Sequence, residues 1–366
     1  MIFMKMMKLK YTKSLAENSI FITILIVGVV LLSSVYFLRI FNGNNNLIGD
    51  KPYFDLRISK HLLEGKQMPI YDDLSYGGRP FSYFLGWPVI IATVSKITGL
   101  DLKDVLIILP ILLGFLATLL FGLIINRFTQ NKKIRNLAIF IFIFSPPFLY
   151  LFSVSNSFSM IFLLSELGFY LLLNKSKKSL IMFVVTLFLI SLFSIFATLF
   201  VLLIFLIYIL IWEKKKLKWF FISFILILAI WIYNLMKFVT NFGFPEIIKF
   251  KFFKNALNIG LQMFFSDFGG KFGLSIFSVL LALMGIYVLW KQKYKYILVY
   301  LSVLSLIFAS LYLNFVMFYL NIIVAILGAI GILRILERKW ESNFIRIFSV
   351  LILMCGIIFS GLSFIK

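Results

Sequence analysis

Apolar runs of about 17–22 residues recur along almost the whole chain, the length a helix needs to cross a hydrocarbon layer roughly 30 Å thick. In lipid a backbone must satisfy its own N–H and C=O groups, which leaves only helices and closed barrels as spanning structures. The short alternating segments of a barrel are absent, so the runs are read as helices. A composition 62% hydrophobic and a mean hydropathy of +1.05 exclude an ordinary soluble domain. The fold class is all-α: a polytopic membrane protein forming one domain over 1–366.

Basic segments punctuate the runs and set their direction. Lysines and arginines gather at 1–13, 127–135, 175–178, 214–218, 291–295 and 334–343. Placing all of these in the cytoplasm gives eleven spans, near 19–38, 105–126, 136–152, 158–173, two short ones within 179–212, then 219–235, 273–290, 296–313, 315–333 and 344–365. The third is interrupted at Pro146-Pro147, and the long run 179–212 is split near Ser194. The first run lacks an A-x-A-like cleavage site and is kept as a helix rather than a cleaved signal. The net charge of +22 is accounted for by the cytoplasmic loops, so no nucleic-acid partner is inferred. The lone Cys355 excludes a disulfide framework, and His61, the only histidine, excludes a multi-histidine metal site. No internal repeat is visible, which weighs against a transporter.

Two long segments remain outside, 42–104 and 236–272. The first holds Asp50, Asp55, Glu64, Asp72, Asp73, Asp101 and Asp104, seven of the chain's fourteen acids. Within it, 52–65 is predicted as a surface helix, with Phe54, Ile58 and Leu62 on its apolar side. Residues 84–97 are apolar but short. Making them a span would put Lys132, Lys133 and Arg135 outside, so they are predicted as a second juxtamembrane helix.

Several side chains suit chemistry at a membrane surface. Asp50 stands just past the first span, where it serves either as an N-cap ahead of Pro52 or as a general base or metal ligand. Asp72 and Asp73 lead into Gly77-Gly78 and read as a surface turn or as substrate contacts. Arg57 and Arg79 match a phosphate oxygen pair, or else pair with loop carboxylates such as Asp55 or Asp73. Asn156 lies in the short external turn 153–157 and is a candidate substrate contact. Glu166, near the middle of a span, is expected to face the protein interior. Lys249, Lys251 and Lys254 alternate with phenylalanines in the second loop, as an interfacial segment or a cradle for a lipid phosphate.

The stretch Gly49-Asp50-Lys51-Pro52-Tyr53-Phe54-Asp55-Leu56-Arg57, followed by Tyr71-Asp72-Asp73-Leu74-Ser75-Tyr76-Gly77-Gly78-Arg79-Pro80, resembles the first external loop of GT-C fold glycosyltransferases. The likeness is to members related to the oligosaccharyltransferase catalytic subunit and the protein-mannosyltransferase group. It covers about 42–87, with Asp50 matching the family's first-loop acid. The resemblance implies an inverting transfer of one sugar from a polyprenyl-phosphate donor, with Asp50 as base, to an unidentified protein, glycan or lipid acceptor at the outer face. Arg57, Arg79 or the Lys249–Lys254 group would steady the departing phosphate. The family's second acidic motif has no counterpart in 153–157, so no cofactor is assigned; a divalent metal would have Asp50 as its ligand. A large C-terminal soluble domain is also missing, which argues against transfer of a whole oligosaccharide. Two other readings stand beside this one: a translocator, and a catalytically inactive relative that binds glycolipid.

Overall fold

The computed structural model describes residues 2–43, 46–66, 71–72, 78–81, 83–174, 176–242, 264–268, 273–290 and 293–365. In chain order the elements are α1 (Ile2–Phe41), α2 (Lys51–Leu63), β1 (Tyr71–Asp72), β2 (Arg79–Pro80), α3 (Gly86–Thr98), α4 (Leu102–Phe128), α5 (Lys132–Ile143) and α6 (Pro146–Ser153). They continue with α7 (Ser157–Leu173), α8 (Lys177–Ile190), α9 (Ile195–Trp212), α10 (Leu217–Phe242), α11 (Ile276–Trp290), α12 (Lys293–Ser310), α13 (Val316–Glu337) and α14 (Asn343–Ile365). The sheet among the described residues is the antiparallel pair β1–β2.

Each apolar run expected to span coincides with a helix or with the bent pair α5–α6. Among the described residues six helical stretches are long and apolar enough to cross a bilayer, beginning with Ser19–Phe41 and ending with Asn343–Phe364, and the bent pair makes up to seven. Shorter apolar helices include Ser157–Leu173 and Ile276–Trp290. Large apolar side chains face outward along these helices; on α14 they include Phe344, Ile345, Ile347, Phe348, Leu351 and Ile352. Such a surface suits hydrocarbon and not water, and the chain is a multi-pass membrane protein.

The helices fall into two compact units, each assembled from separate stretches of chain. The first comprises Met1–Asn45, Gly114–Ser153 and Phe253–Lys366. In it the Pro146-Pro147 break bends α5 against α6 by 62°. Proline cannot continue the helical ladder and pushes the residue before it out of the helical region. Ser145 repairs the gap: its hydroxyl donates to the Phe142 carbonyl at 2.6 Å and accepts from Asn321 Nδ2 of α13 at 2.7 Å. Helices α11 and α13 meet backbone to backbone. A Cβ at Gly285 would lie 2.0 Å from the Leu327 carbonyl oxygen, and one at Gly331 2.3 Å from that of Leu281. Small residues are what allow membrane helices to approach so closely.

The second unit comprises Asn46–Leu113 and Val154–Phe252. The expected split near Ser194 is present, and its cause is local. Ser194 adopts an extended backbone and caps α9 by accepting from Ala197 N at 3.4 Å. Ser176 caps α8 in the same way, through Ser179 N at 3.1 Å. The buried Lys216 donates to the carbonyls of Leu172 and Asn174, so its charge closes the C-terminal end of α7. The apolar stretch of this span ends at Met236, next to the expected end at 235, while helix α10 itself runs on to Phe242. Hydropathy placed that boundary, but the helical ladder continues past the apolar stretch. Lys249, Lys251 and Lys254 lie outside the described residues.

Candidate active site

Helix α2 begins at Lys51 because Pro52 sits in its first turn, where its missing N–H has no partner to lose and its ring presets φ. It stops at Leu63, and Gly65 just beyond takes φ +65°, a left-handed conformation open to glycine. Helix α3 closes on Gly99 at φ +72°, whose N–H donates to the Ser95 carbonyl at 2.8 Å. At thirteen residues, α3 is about 20 Å long and too short to span. This agrees with the juxtamembrane helix expected over 84–97.

The buried stripe of α2 is Pro52, Asp55, Ile58 and Ser59. The expected apolar side of Phe54, Ile58 and Leu62 is therefore rotated, because two polar residues on the stripe have specific partners. Ser59 Oγ donates to the Pro88 carbonyl of α3 at 3.1 Å. Tyr83 Oη donates to Asp55 Oδ1 at 2.9 Å. Asp55 has no exposed surface, and its Oδ2 has no hydrogen-bond partner among the described residues. Burial pushes the Asp55 carboxyl up to about 6, against the pull of the Lys51 ammonium and the Tyr83 hydrogen bond. Burial also pushes the Tyr83 phenol up, with the neighbouring Asp55 adding to it.

Asp50 lies one residue ahead of this helix and is exposed. It does not cap the helix. A capping residue needs an extended backbone, whereas Asp50 is already helical at φ −83°, ψ −34°, and its side chain makes no capping bond. Its carbonyl accepts from the N–H groups of Tyr53 and Phe54 at 3.1 and 3.3 Å.

A short turn brings the start of α7 against α2 and α3. Asn156 is extended and caps α7: its Oδ1 accepts from Ser159 N at 3.2 Å, while its Nδ2 donates to the Val154 carbonyl at 2.7 Å. Lys51 Nζ donates to Ser157 Oγ at 3.1 Å and lies 5.3 Å from the centre of the Phe158 ring. Trp87 Nε1 donates to Ser155 Oγ at 3.2 Å, and the indole is fully buried. Close packing holds α3 in place, since a Cβ on Gly86 would lie 2.6 Å from the Leu192 carbonyl oxygen.

The β1–β2 hairpin is tied to the other side of α2. Arg57 Nη2 donates to both oxygens of Asp72 at 3.1 Å, and the guanidinium lies 5.1 Å from the centre of the Phe54 ring. Asp72 is thus a buried strand residue rather than the expected surface-turn residue: its partner in the ladder is Arg79. Among the described residues the carboxylate partner of Arg57 is Asp72 and not Asp55. Asp73 lies outside the described residues. A charge-assisted pair of this kind is worth about 1.5–3 kcal/mol when buried, and less here because the Arg57 side chain is 28% exposed. Asp72→Asn is expected to loosen the hairpin, seen as faster hydrogen exchange at Asp72 and Arg79 with α3 unchanged; unchanged exchange at both would contradict the pairing as the hairpin's tether.

Glu166 is buried in α7, facing the interior as expected, and neither of its carboxyl oxygens has a hydrogen-bond partner among the described residues. It does not join the group around Lys51. Sequence reasoning passed over Lys51, Tyr83, Trp87, Ser155 and Ser157. The available signal was Asp55, an acid in helical phase with Pro52, Ile58 and Ser59 and four residues after a lysine.

The raised Asp55 carboxyl has a measurable cost. An unfolded aspartate titrates near 3.9, so between about pH 4 and 6 the folded site holds more protons than the unfolded chain. Stability falls as pH rises through that window, and the loss is complete above it. Asp55→Asn is expected to stabilise α2 against opening by roughly 2 kcal/mol at pH 8, with no difference from wild type near pH 4. Hydrogen exchange of the α2 amides reads this directly; faster exchange in the variant at pH 8 would contradict it.

No protein-family model and no curated protein matches the sequence. Solved structures do match it. The archaeal oligosaccharyltransferase AglB from Archaeoglobus fulgidus, in complex with an inhibitory peptide and a dolichol-phosphate, superposes with a TM-score of 0.62 at 13% identity, covering 94% of this chain and 55% of that one. The fold is of the GT-C type. The Archaeoglobus fulgidus oligosaccharyltransferase in complex with Zn and sulfate gives a TM-score of 0.62 at 14% identity, covering 93% of this chain and 52% of that one. The same enzyme tethered to an acceptor peptide through a disulfide gives 0.55 at 12% identity, covering 94% and 54%. The chain therefore spans about half the length of these neighbours, and at such identity the likeness is one of fold.

Proposed function

We propose that this GT-C fold protein transfers a sugar from a polyprenyl-phosphate carrier to an acceptor hydroxyl at the outer membrane face, with inversion. The observation that carries this reading is an exposed carboxylate, Asp50, at the head of a surface helix in a fold shared with an enzyme captured with dolichol-phosphate. With no capping bond to occupy it, the Asp50 carboxylate is free to take the acceptor proton as the acceptor oxygen attacks the anomeric carbon and lipid phosphate departs. The apolar faces of the spans suit the polyprenyl tail.

One neighbour was solved with Zn. Among the described residues no three His, Cys, Asp or Glu side chains gather to hold a metal ion, and the 153–157 turn carries no acid. Among the described residues the donor set does not fit a metal centre. The same acid-free turn favours a second reading, a relative that binds glycolipid without turning it over. One experiment separates the two. Proteoliposomes holding the full chain are given radiolabelled polyprenyl-phosphate monosaccharides and a membrane acceptor extract. Acceptor-dependent release of sugar-free polyprenyl phosphate is expected; donor binding with no release supports the second reading instead.

A further inference from the structure

Most of this chain's cations sit in the basic segments between spans, but Lys51 does not. It lies in the acid-rich loop, half-buried at the meeting point of α2 and the first turn of α7. Its ammonium carries three N–H donors, and its polar contact is Ser157 Oγ at 3.1 Å, with the Phe158 ring face beside it. Asp55, one helical turn along the same face, is not within ion-pair distance of it among the described residues and leaves Oδ2 unpartnered in the interior. Helix α7 begins at Ser157 with Asn156 as its cap, so the positive end of its backbone dipole adds to the field of the ammonium. Of the other cations expected at the leaving group, Arg57 is already gripped by Asp72, while the Arg79 side chain and the Lys249–Lys254 group lie outside what the structure describes.

We propose that Lys51, Ser157 and the first turn of α7 seat the phosphate of the lipid-linked donor, with Asp55 as the buried countercharge that keeps the ammonium protonated. The proposal rests on the glycosyltransferase reading and names its phosphate subsite. Its chemistry follows from the surroundings. Burial pulls the Lys51 amine toward its neutral form, and the Asp55 carboxylate opposes that pull. The other ionisable groups nearby are Asp50 and Arg57 on α2 and Tyr83 beside Asp55; the first turn of α7 contributes none. With Ser157 Oγ as its hydrogen-bond acceptor among the described residues, a protonated amine beside a helix N-terminus suits the monoanionic phosphodiester of the donor, and still more the dianionic lipid phosphate that departs, better than a neutral alcohol. Lys51 acts by binding the leaving group and Asp55 by positioning charge, so neither is the base.

The test uses the full chain in phosphatidylcholine nanodiscs and measures binding of a short-chain polyprenyl monophosphate, the matching polyprenol and inorganic phosphate. Wild type is expected to prefer the lipid phosphate over both controls by at least tenfold. Lys51→Met lowers that affinity about tenfold, and Lys51→Arg restores most of it. Because Lys51→Met strands the Asp55 charge, the double variant Lys51→Met/Asp55→Asn, which removes both charges, serves as the control for folding and shows the same loss. Asp55→Asn alone makes phosphate binding fade at lower pH than in wild type, which a purely structural role would not do. Asp50→Asn binds as wild type does. Equal binding of polyprenol, inorganic phosphate and lipid phosphate by wild type, or undiminished lipid-phosphate binding by the double variant, overturns the proposal. Discrimination for lipid phosphate without any transfer leaves this subsite standing and sinks the catalytic reading.

Discussion

Asp50→Asn is expected to lower sugar transfer by about 10²–10⁴-fold, the range over which a positioned general base contributes, while donor binding stays unchanged. The substitution keeps the shape and polarity of the side chain and removes its ability to take a proton. The loss should therefore fall on kcat and not on KM. Structural damage is an unsuitable explanation for such a loss, because Asp50 is exposed, makes no capping hydrogen bond and supports α2 through its backbone carbonyl alone. Single-turnover measurements with bound donor isolate the chemical step. Full activity in Asp50→Asn would remove this residue from the mechanism.

The largest effect on stability is expected from Gly285→Leu. The α11–α13 contact is a close backbone approach, with even a Cβ at Gly285 falling 2.0 Å from the Leu327 carbonyl oxygen. That oxygen belongs to a helical ladder and cannot turn aside as a flexible side chain would. Separating the two helices also disturbs Gly331, whose Cβ position lies 2.3 Å from the Leu281 carbonyl oxygen. Overpacking a tight contact costs about 1–3 kcal/mol, occasionally more, and this site belongs at the upper end because backbone meets backbone. Denaturant-driven unfolding in mixed micelles reads the change; a variant as stable as wild type would mean that the two helices separate freely.

Much of the architecture was legible because membrane physics writes it in long strokes. The break at Pro146-Pro147, the split at Ser194 and the short α3 each have a local cause visible in the residue types. The turn 153–157 carries no acid. The site was less legible. Asp50 reads as a helix cap, yet its backbone enters the helix one residue early and leaves its carboxylate free. Asp72 reads as part of a turn, yet the Arg57 fork draws it into a strand. Asp55 was one acid among seven in the loop, and no local pattern shows that the fold buries it fully with Tyr83 as its hydrogen-bond donor. The role of Lys51 depends on Ser157, a residue 106 positions away that no local pattern links to it.

The most direct measurement is the configuration of the product. Purified chain is given a synthetic polyprenyl-phosphate sugar of defined anomeric configuration and an acceptor, and the new glycosidic bond is read by NMR coupling constants. Attack by an acceptor activated at Asp50 on the face opposite the leaving phosphate predicts complete inversion. A retained configuration, or an inverted product formed at the wild-type rate by Asp50→Asn, contradicts the account.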